Sequence, residues 1–253
     1  MSDLFLQLSK RLFWTRPVLD AVSGNLRWQD SKLLTIRHSE WHWSFLKVVV
    51  FAGGPYFFIN LQYVSASLIA VGLNWSQPED WPPYFGRVSH VTTVRYFWGS
   101  FWHQTLRRSF TMLTAFFVDL LKVPRGTKLA FHLKIWIAFA VSGFMHAQAM
   151  LLLPSPKNIT IGERTKGMMA FFLWQAAAIS VEDCAKCIYI RTEPFFHLGR
   201  PTLTIVGYAW VVMSFWISLP WAGDVMMRMR LTEESFLSFS IFNDFVRYVP
   251  IPP

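Results

Sequence analysis

His146 is the side chain in this sequence best placed to do chemistry. It interrupts an uncharged run, Ile135-Trp-Ile-Ala-Phe-Ala-Val-Ser-Gly-Phe-Met-His-Ala-Gln-Ala-Met-Leu-Leu-Leu153, long enough to span a bilayer core of about 20 apolar residues. An ionisable group at that depth is costly and marks a site by default. Imidazole titrates near neutrality, so it can stay uncharged among apolar neighbours and accept a proton from an alcohol. A base so positioned supplies about 10²–10⁴-fold in rate, which suits transfer of an acyl group to a hydroxyl. The competing role is structural, a polar side chain joining two membrane helices. Ser142 and Gly143 lie one turn earlier on the same face and are expected to leave room beside the ring.

A second candidate is His103, in Tyr96-Phe-Trp-Gly-Ser-Phe-Trp-His-Gln-Thr-Leu-Arg-Arg108. It could orient a substrate or assist a developing oxyanion; the alternative is a residue that simply faces headgroups. Arg107 and Arg108 could meet phosphates or snorkel to the interface, and Trp102 and Gln104 adjoin His103 as candidate binding residues. Metal chemistry has less to work with. His132 and His146 would lie about 21 Å apart along one helix, as two stacked haems require. The matching pair, His90 and His103, sits in a segment too polar to span. A di-iron site needs several His boxes, and His38-Ser-Glu-Trp-His42 is the one HxxxH here. No metal and no bound cofactor is expected. No Ser or Cys pairs visibly with a His and an acid, which argues against a covalent acyl-enzyme.

The elements that must hold these residues follow from composition. The chain is 53% hydrophobic with 24 Phe and 13 Trp, and only 15% of it is charged, well below the roughly 25% of soluble domains. Val48–Asn74, Ile135–Leu153 and Pro201–Gly223 are uncharged and long enough to cross. Gly167–Val181 is short, and Ser109–Leu121 is interrupted by Asp119. The expectation is an all-α polytopic membrane bundle of about four to six helices with interfacial amphipathic helices. Phe97/Phe101 and Trp98/Trp102 pair at i,i+4, and Arg95, Gly99, His103 and Arg107 form a polar series, so Thr93–Arg108 reads as such an interfacial helix. Met1–Lys47 (residues 1–47) is expected to be a partly helical arm on the membrane, and residues 48–253 one membrane-embedded domain. Gly53-Gly54-Pro55 is a candidate kink.

The net charge of +9 is scattered through loops, which fits lipid headgroups or an anionic cosubstrate and no nucleic acid. Cys184 and Cys187 lack a second half-site or a redox context and read as incidental membrane-edge thiols. Asn74-Trp-Ser76 and Asn158-Ile-Thr160 are sequons, open to glycosylation only if luminal. The opening residues break into charge before any h-region forms, so no secretory signal is expected.

Taken in order, Trp81-Pro-Pro-Tyr-Phe-Gly86, Tyr96–Gln104 with Arg107-Arg108, and Ser142-Gly-Phe-Met-His146 resemble the wax-synthase-like branch of the membrane-bound O-acyltransferases. The resemblance is greatest to fungal members that acetylate secondary metabolites, and it runs from about Arg27 to the C-terminus. It implies an endoplasmic-reticulum enzyme in which acetyl-CoA, or another acyl-CoA, meets a small lipophilic, terpenoid-like alcohol in a tunnel. The family's membrane-embedded His maps onto His146. His103 stands where the wider superfamily often has Asn, a substitution the fungal branch shares. The implied cytosolic face would carry His103, Arg107 and Arg108. Family members usually have further helices before the region matching Arg27, so a shortened form is expected here. Its alternative function would be that of an inactive membrane scaffold or lipid-binding partner.

Overall fold

The structure is a computed structural model and describes residues 34–37, 39–153, 159–193 and 198–229, with Leu4, Leu8, Leu12 and Tyr248. Most of the Met1–Lys47 arm and the sequon at Asn158 fall outside the described residues. Five long helices carry the fold: α1 (Trp41–Gly72), α2 (Arg107–Leu120), α3 (Lys128–Leu152), α4 (Ile161–Thr192) and α5 (Arg200–Arg228). The described residues are helical, with turns and loops between. Of these helices α1, α3 and α5 are long and apolar enough to cross a membrane. Gly167–Val181 turns out to be the middle of a 32-residue helix, α4, whose apolar run is bounded by Lys166 and by Glu182-Asp183. Ser109–Leu121 is the 14-residue α2, about 21 Å long and so short of a bilayer.

α1, α3 and α5 are apolar around most of their circumference, as expected of helices that lipid as well as protein covers. Along α1 only Lys47, Val48, Val50 and Phe51 are buried, while Leu68 is 69% and Ile69 59% exposed. The helix continues through Pro55 and ends at Leu73, after which Asn74 takes a left-handed conformation (φ 57°), one that Asn tolerates better than most residues. The α2–α3 turn is held by Arg125 Nε donating to Asp119 at 2.8 Å. Thr127 then caps α3 by accepting the Ala130 N–H at 3.1 Å. Thr160 and Glu163 form a reciprocal capping box at the start of α4.

Two compact units partition the chain. The first comprises Met1–Pro82, Ala149–Gly167 and Leu219–Pro253. Within it Asp224 accepts from the Thr35 hydroxyl (2.9 Å), the Ile36 N–H (2.8 Å) and Arg37 Nε (3.1 Å), which ties the segment before α1 to the end of α5. Backbone passes so close to Gly167 that a Cβ there would lie 2.0 Å from the Trp221 carbonyl oxygen.

The second unit comprises Pro83–Gln148 and Met168–Ser218 and contains both candidate histidines. Its centre is a cluster of Phe97, Trp98, Phe139, Phe171, Phe172 and Phe215. A polar thread runs through it. Trp98 Nε1 donates to Gln175 Oε1 (3.2 Å), Gln175 Nε2 donates to Ser218 Oγ (3.1 Å) and Trp174 Nε1 to Ser214 Oγ (3.0 Å). Buried polar groups must be paired in this way, and here the pairing sets the rotation of α4 against α5.

Candidate active site

The segment expected to form one interfacial helix, Thr93–Arg108, is broken. Val94–Tyr96 makes a single α turn, capped by Thr93, and Phe97–Phe101 winds as a π turn. The Trp102 N–H donates to the Phe97 carbonyl five residues back at 2.7 Å, and Trp102 itself is extended (ψ 143°). Such π turns insert an extra residue and redirect the chain beyond them. Accordingly, Arg95, Gly99, His103 and Arg107 do not share a helical face. The amphipathic helix is instead α2, which starts at Arg107.

What holds this break in place is largely a single carboxylate. Glu182 of α4 accepts the backbone N–H of both Val94 and Arg95, the latter at 3.1 Å, and the indole N–H of Trp210 at 2.8 Å. From the other side, the Pro83–Gly86 loop lies against the π turn. Gly86 N–H donates to Phe101 O at 2.9 Å, and a Cβ on Gly86 would sit 2.5 Å from Ser100 O. Backbone bounds that contact, so nothing can swing aside. Gly86→Ala is therefore expected to cost about 1–3 kcal/mol through overpacking and to displace His103, read as a lower unfolding temperature together with slower turnover.

His103 leaves the π turn and stacks on Tyr84, with centroids 5.6 Å apart and planes 14° from parallel, while the Tyr84 hydroxyl bonds Thr105 Oγ1. Its Nδ1 is buried and has no hydrogen-bond partner among the described residues. Burial first, and the neighbouring His146 second, lower its pKa from the ordinary value, so the ring is held neutral. The sign follows from linkage. The unfolded chain takes up this proton near pH 6.5 and the folded one only lower, so stability is complete above about pH 6.5 and is lost as the pH falls below it. Thermal unfolding in detergent at about pH 5 and 7.5 is expected to show that loss, and His103→Asn to diminish it.

His146 lies on α3 as expected. Its Nδ1 is 2.8 Å from the Ser142 carbonyl oxygen. A carbonyl only accepts, so Nδ1 carries the hydrogen and the Nε2 lone pair is left for a base. Phe172 packs on the ring with centroids 4.5 Å apart. Gly143 does not open space beside His146. It admits α4 instead, since a Cβ there would meet Phe172 Cβ at 3.1 Å and Met169 Sδ at 3.3 Å. The two histidines are joined by a path of rings: His103 to Trp102 (5.6 Å), Trp102 to Trp98 (6.1 Å), Trp98 to Phe172 (6.1 Å) and Phe172 to His146 (4.5 Å).

The other expected binding residues fare differently. Trp102 stacks on Phe97 (5.6 Å, 18°) as part of the aromatic wall. Gln104 donates to the carbonyls of Trp98 and Trp102, closing the π turn. Ser142 contributes its carbonyl. Arg107 and Arg108 stand exposed at the start of α2, with no ion pair among the described residues.

His132 has partners that sequence spacing did not reveal. Its Nδ1 lies 3.2 Å from Ser180 Oγ and its Nε2 3.3 Å from Asp183 Oδ2. A Ser, a His and an acid do therefore meet, contrary to the sequence reading. Ser180, however, donates to the Ala176 carbonyl at 2.9 Å, which directs its proton away from the ring. Among the described residues no three His, Cys, Asp or Glu side chains form a metal-binding group.

Residues 81–174 match the Membrane bound O-acyl transferase family, and residues 1–72 match the Aspirochlorine biosynthesis protein F C-terminal domain. Acetyltransferase ataH of Aspergillus terreus is 35% identical over 172 residues, covering 65% of this chain and 53% of that protein. Acetyltransferase spyB of Aspergillus fumigatus is 30% identical over 174 residues, covering 64% and 28%. Aspirochlorine biosynthesis protein F of Aspergillus oryzae is 48% identical over 81 residues, covering 31% and 29%. The chain thus spans about half or less of the length of these relatives. No solved structure matches it significantly.

Proposed function

We propose that this chain, whose residues 81–174 match the Membrane bound O-acyl transferase family, transfers an acetyl group from acetyl-CoA to a hydroxyl of a lipophilic, terpenoid-like secondary metabolite at the endoplasmic reticulum. The observation that carries the reading is the 2.8 Å contact between His146 Nδ1 and the Ser142 carbonyl oxygen. With Nδ1–H donated to Ser142, Nε2 takes the alcohol proton as the oxygen attacks the thioester carbonyl carbon. The carbon–sulfur bond to CoA then breaks, and the departing CoA sulfur recovers the proton from the imidazolium. Phe172 and the Trp98 cluster keep water from competing for the acyl group. His103, neutral and with no partner for its Nδ1 among the described residues, would hydrogen-bond the thioester oxygen as its charge grows. Arg107 and Arg108, exposed and with no acidic partner among the described residues, suit the phosphates of CoA.

The test is radiolabelled acetyl transfer from acetyl-CoA to extracted pathway alcohols, in microsomes carrying the wild type or His146→Ala. Labelling by the wild type alone supports both the reaction and its base. Equal labelling by both removes His146 from the chemistry. No labelling by either, with expression verified, favours the scaffold reading, and recovery of activity on adding upstream helices would strengthen it.

A further inference from the structure

At the other end of the second unit, where α3 begins and α4 leaves its apolar run, a surface groove is lined by Lys128, Leu129, His132, Asp183, Cys184 and Cys187, with Ile188 beside them. None of these residues serves the site described above. Lys128 Nζ donates to the sulfur of Cys187 and also pairs with Asp183 at 3.3 Å; Asp183 in turn meets His132 at 3.3 Å. Acid and imidazole thus hold the ammonium against one particular thiol. Cys184, one turn earlier, is an exposed thiol that makes no such contact among the described residues.

We propose that Cys187 is an S-acylation site that takes a long-chain fatty acyl group from a fatty acyl-CoA. A thiol reacts as its thiolate, which a neighbouring ammonium stabilises. In the step, Cys187 gives its proton to water, Sγ attacks the thioester carbonyl carbon, and the bond from that carbon to the CoA sulfur breaks. CoA leaves as a thiolate and takes up a proton. One thioester replaces another, so no oxidant or energy source is needed.

The surroundings point to a long chain. The uncharged run of α4 ends at Val181, so Cys187 lies about 9 Å further along the helix, and its partner Lys128 is the first residue of α3, a helix long and apolar enough to cross a membrane. The groove walls beside it, Leu129 and Ile188, are 65% and 62% exposed. A fatty chain carried on Sγ would cover them and return to the bilayer, at about 0.8 kcal/mol per buried CH₂. The proposal stands independently of the role of His146.

To test it, microsomes bearing the full chain are incubated with alkynyl palmitoyl-CoA. The chain is captured, and label is measured before and after hydroxylamine, which cleaves thioesters. Hydroxylamine-sensitive label is expected on the wild type and on Cys184→Ser, with about tenfold or greater loss in Cys187→Ser and a several-fold slower appearance in Lys128→Met. Lys128→Arg, which keeps the charge, is expected to label like the wild type and stands in if Lys128→Met fails to accumulate. Absence of sensitive label on accumulated wild type, label that persists in Cys187→Ser, or label lost only in Cys184→Ser would each overturn the proposal. Label on alkynyl acetate but not on palmitate would overturn the long-chain assignment.

Discussion

Replacing His146 with Ala is expected to abolish acetyl transfer while the chain still inserts and accumulates. The size follows from the role: loss of a positioned base costs about 10²–10⁴-fold, or roughly 3–5 kcal/mol of transition-state stabilisation. Insertion should survive because the ring is exposed and its one hydrogen bond among the described residues, to Ser142, is within its own helix. Removing it uncovers the Phe172 ring, 4.5 Å away on α4, but strips no partner helix of a hydrogen bond among the described residues. His146→Gln is the sharper variant, since an amide fills similar space and keeps a donor but cannot take up a proton near neutrality. If the residue only joined helices, the result would be the reverse, with reduced accumulation and near-normal transfer per molecule. Kinetics normalised to protein level in microsomes would separate the two, and a Gln variant with full activity would end the base mechanism.

The second large effect is expected at Glu182, which no motif marks. Glu182→Ala would leave two backbone N–H groups and the Trp210 indole without their acceptor. An unmade bond of this kind costs about 1–3 kcal/mol where the donor is buried. Val94 is fully buried and Arg95 is exposed, so a total of roughly 2–4 kcal/mol is expected. The loss would free the turn that aims His103, and turnover should fall with stability. Glu182→Gln keeps one oxygen acceptor and should recover part of both, whereas Glu182→Asp falls short by one methylene. Unfolding temperatures in detergent, measured beside transfer rates, provide the check. Normal stability with lost activity would place Glu182 in the chemistry and not in the scaffold.

Much of the fold was legible because lipid imposes a simple rule: backbone polar groups must be satisfied within the segment, so a long uncharged run is a helix. Val48–Asn74, Ile135–Leu153 and Pro201–Gly223 lie almost wholly within α1, α3 and α5 for that reason. The extent of α4 was not legible, since charges at both of its ends, among them Glu163, Lys166, Glu182 and Asp183, hide a continuous helix from a hydropathy argument. The break after Phe101 was hidden differently. The i,i+4 aromatic pairs satisfy a helical pattern equally well, and only a carboxylate 88 residues away together with the close approach at Gly86 selects the π turn. Gln175 could have been noticed as an amide inside an apolar run; its partners could not.

By itself, then, the sequence determined that this is a helical membrane protein with one ionisable group deep in a span, because hydropathy and charge are properties of contiguous residues. It also carries the match of residues 81–174 to the Membrane bound O-acyl transferase family. Tertiary structure alone decided which nitrogen of His146 faces the Ser142 carbonyl, that Gly143 admits α4, that Gln104 closes a turn, and that Lys128 meets Cys187. Each of these depends on which atoms lie within a few ångströms across different helices, or on a bond whose direction only backbone geometry sets. Spacing along one chain does not encode either.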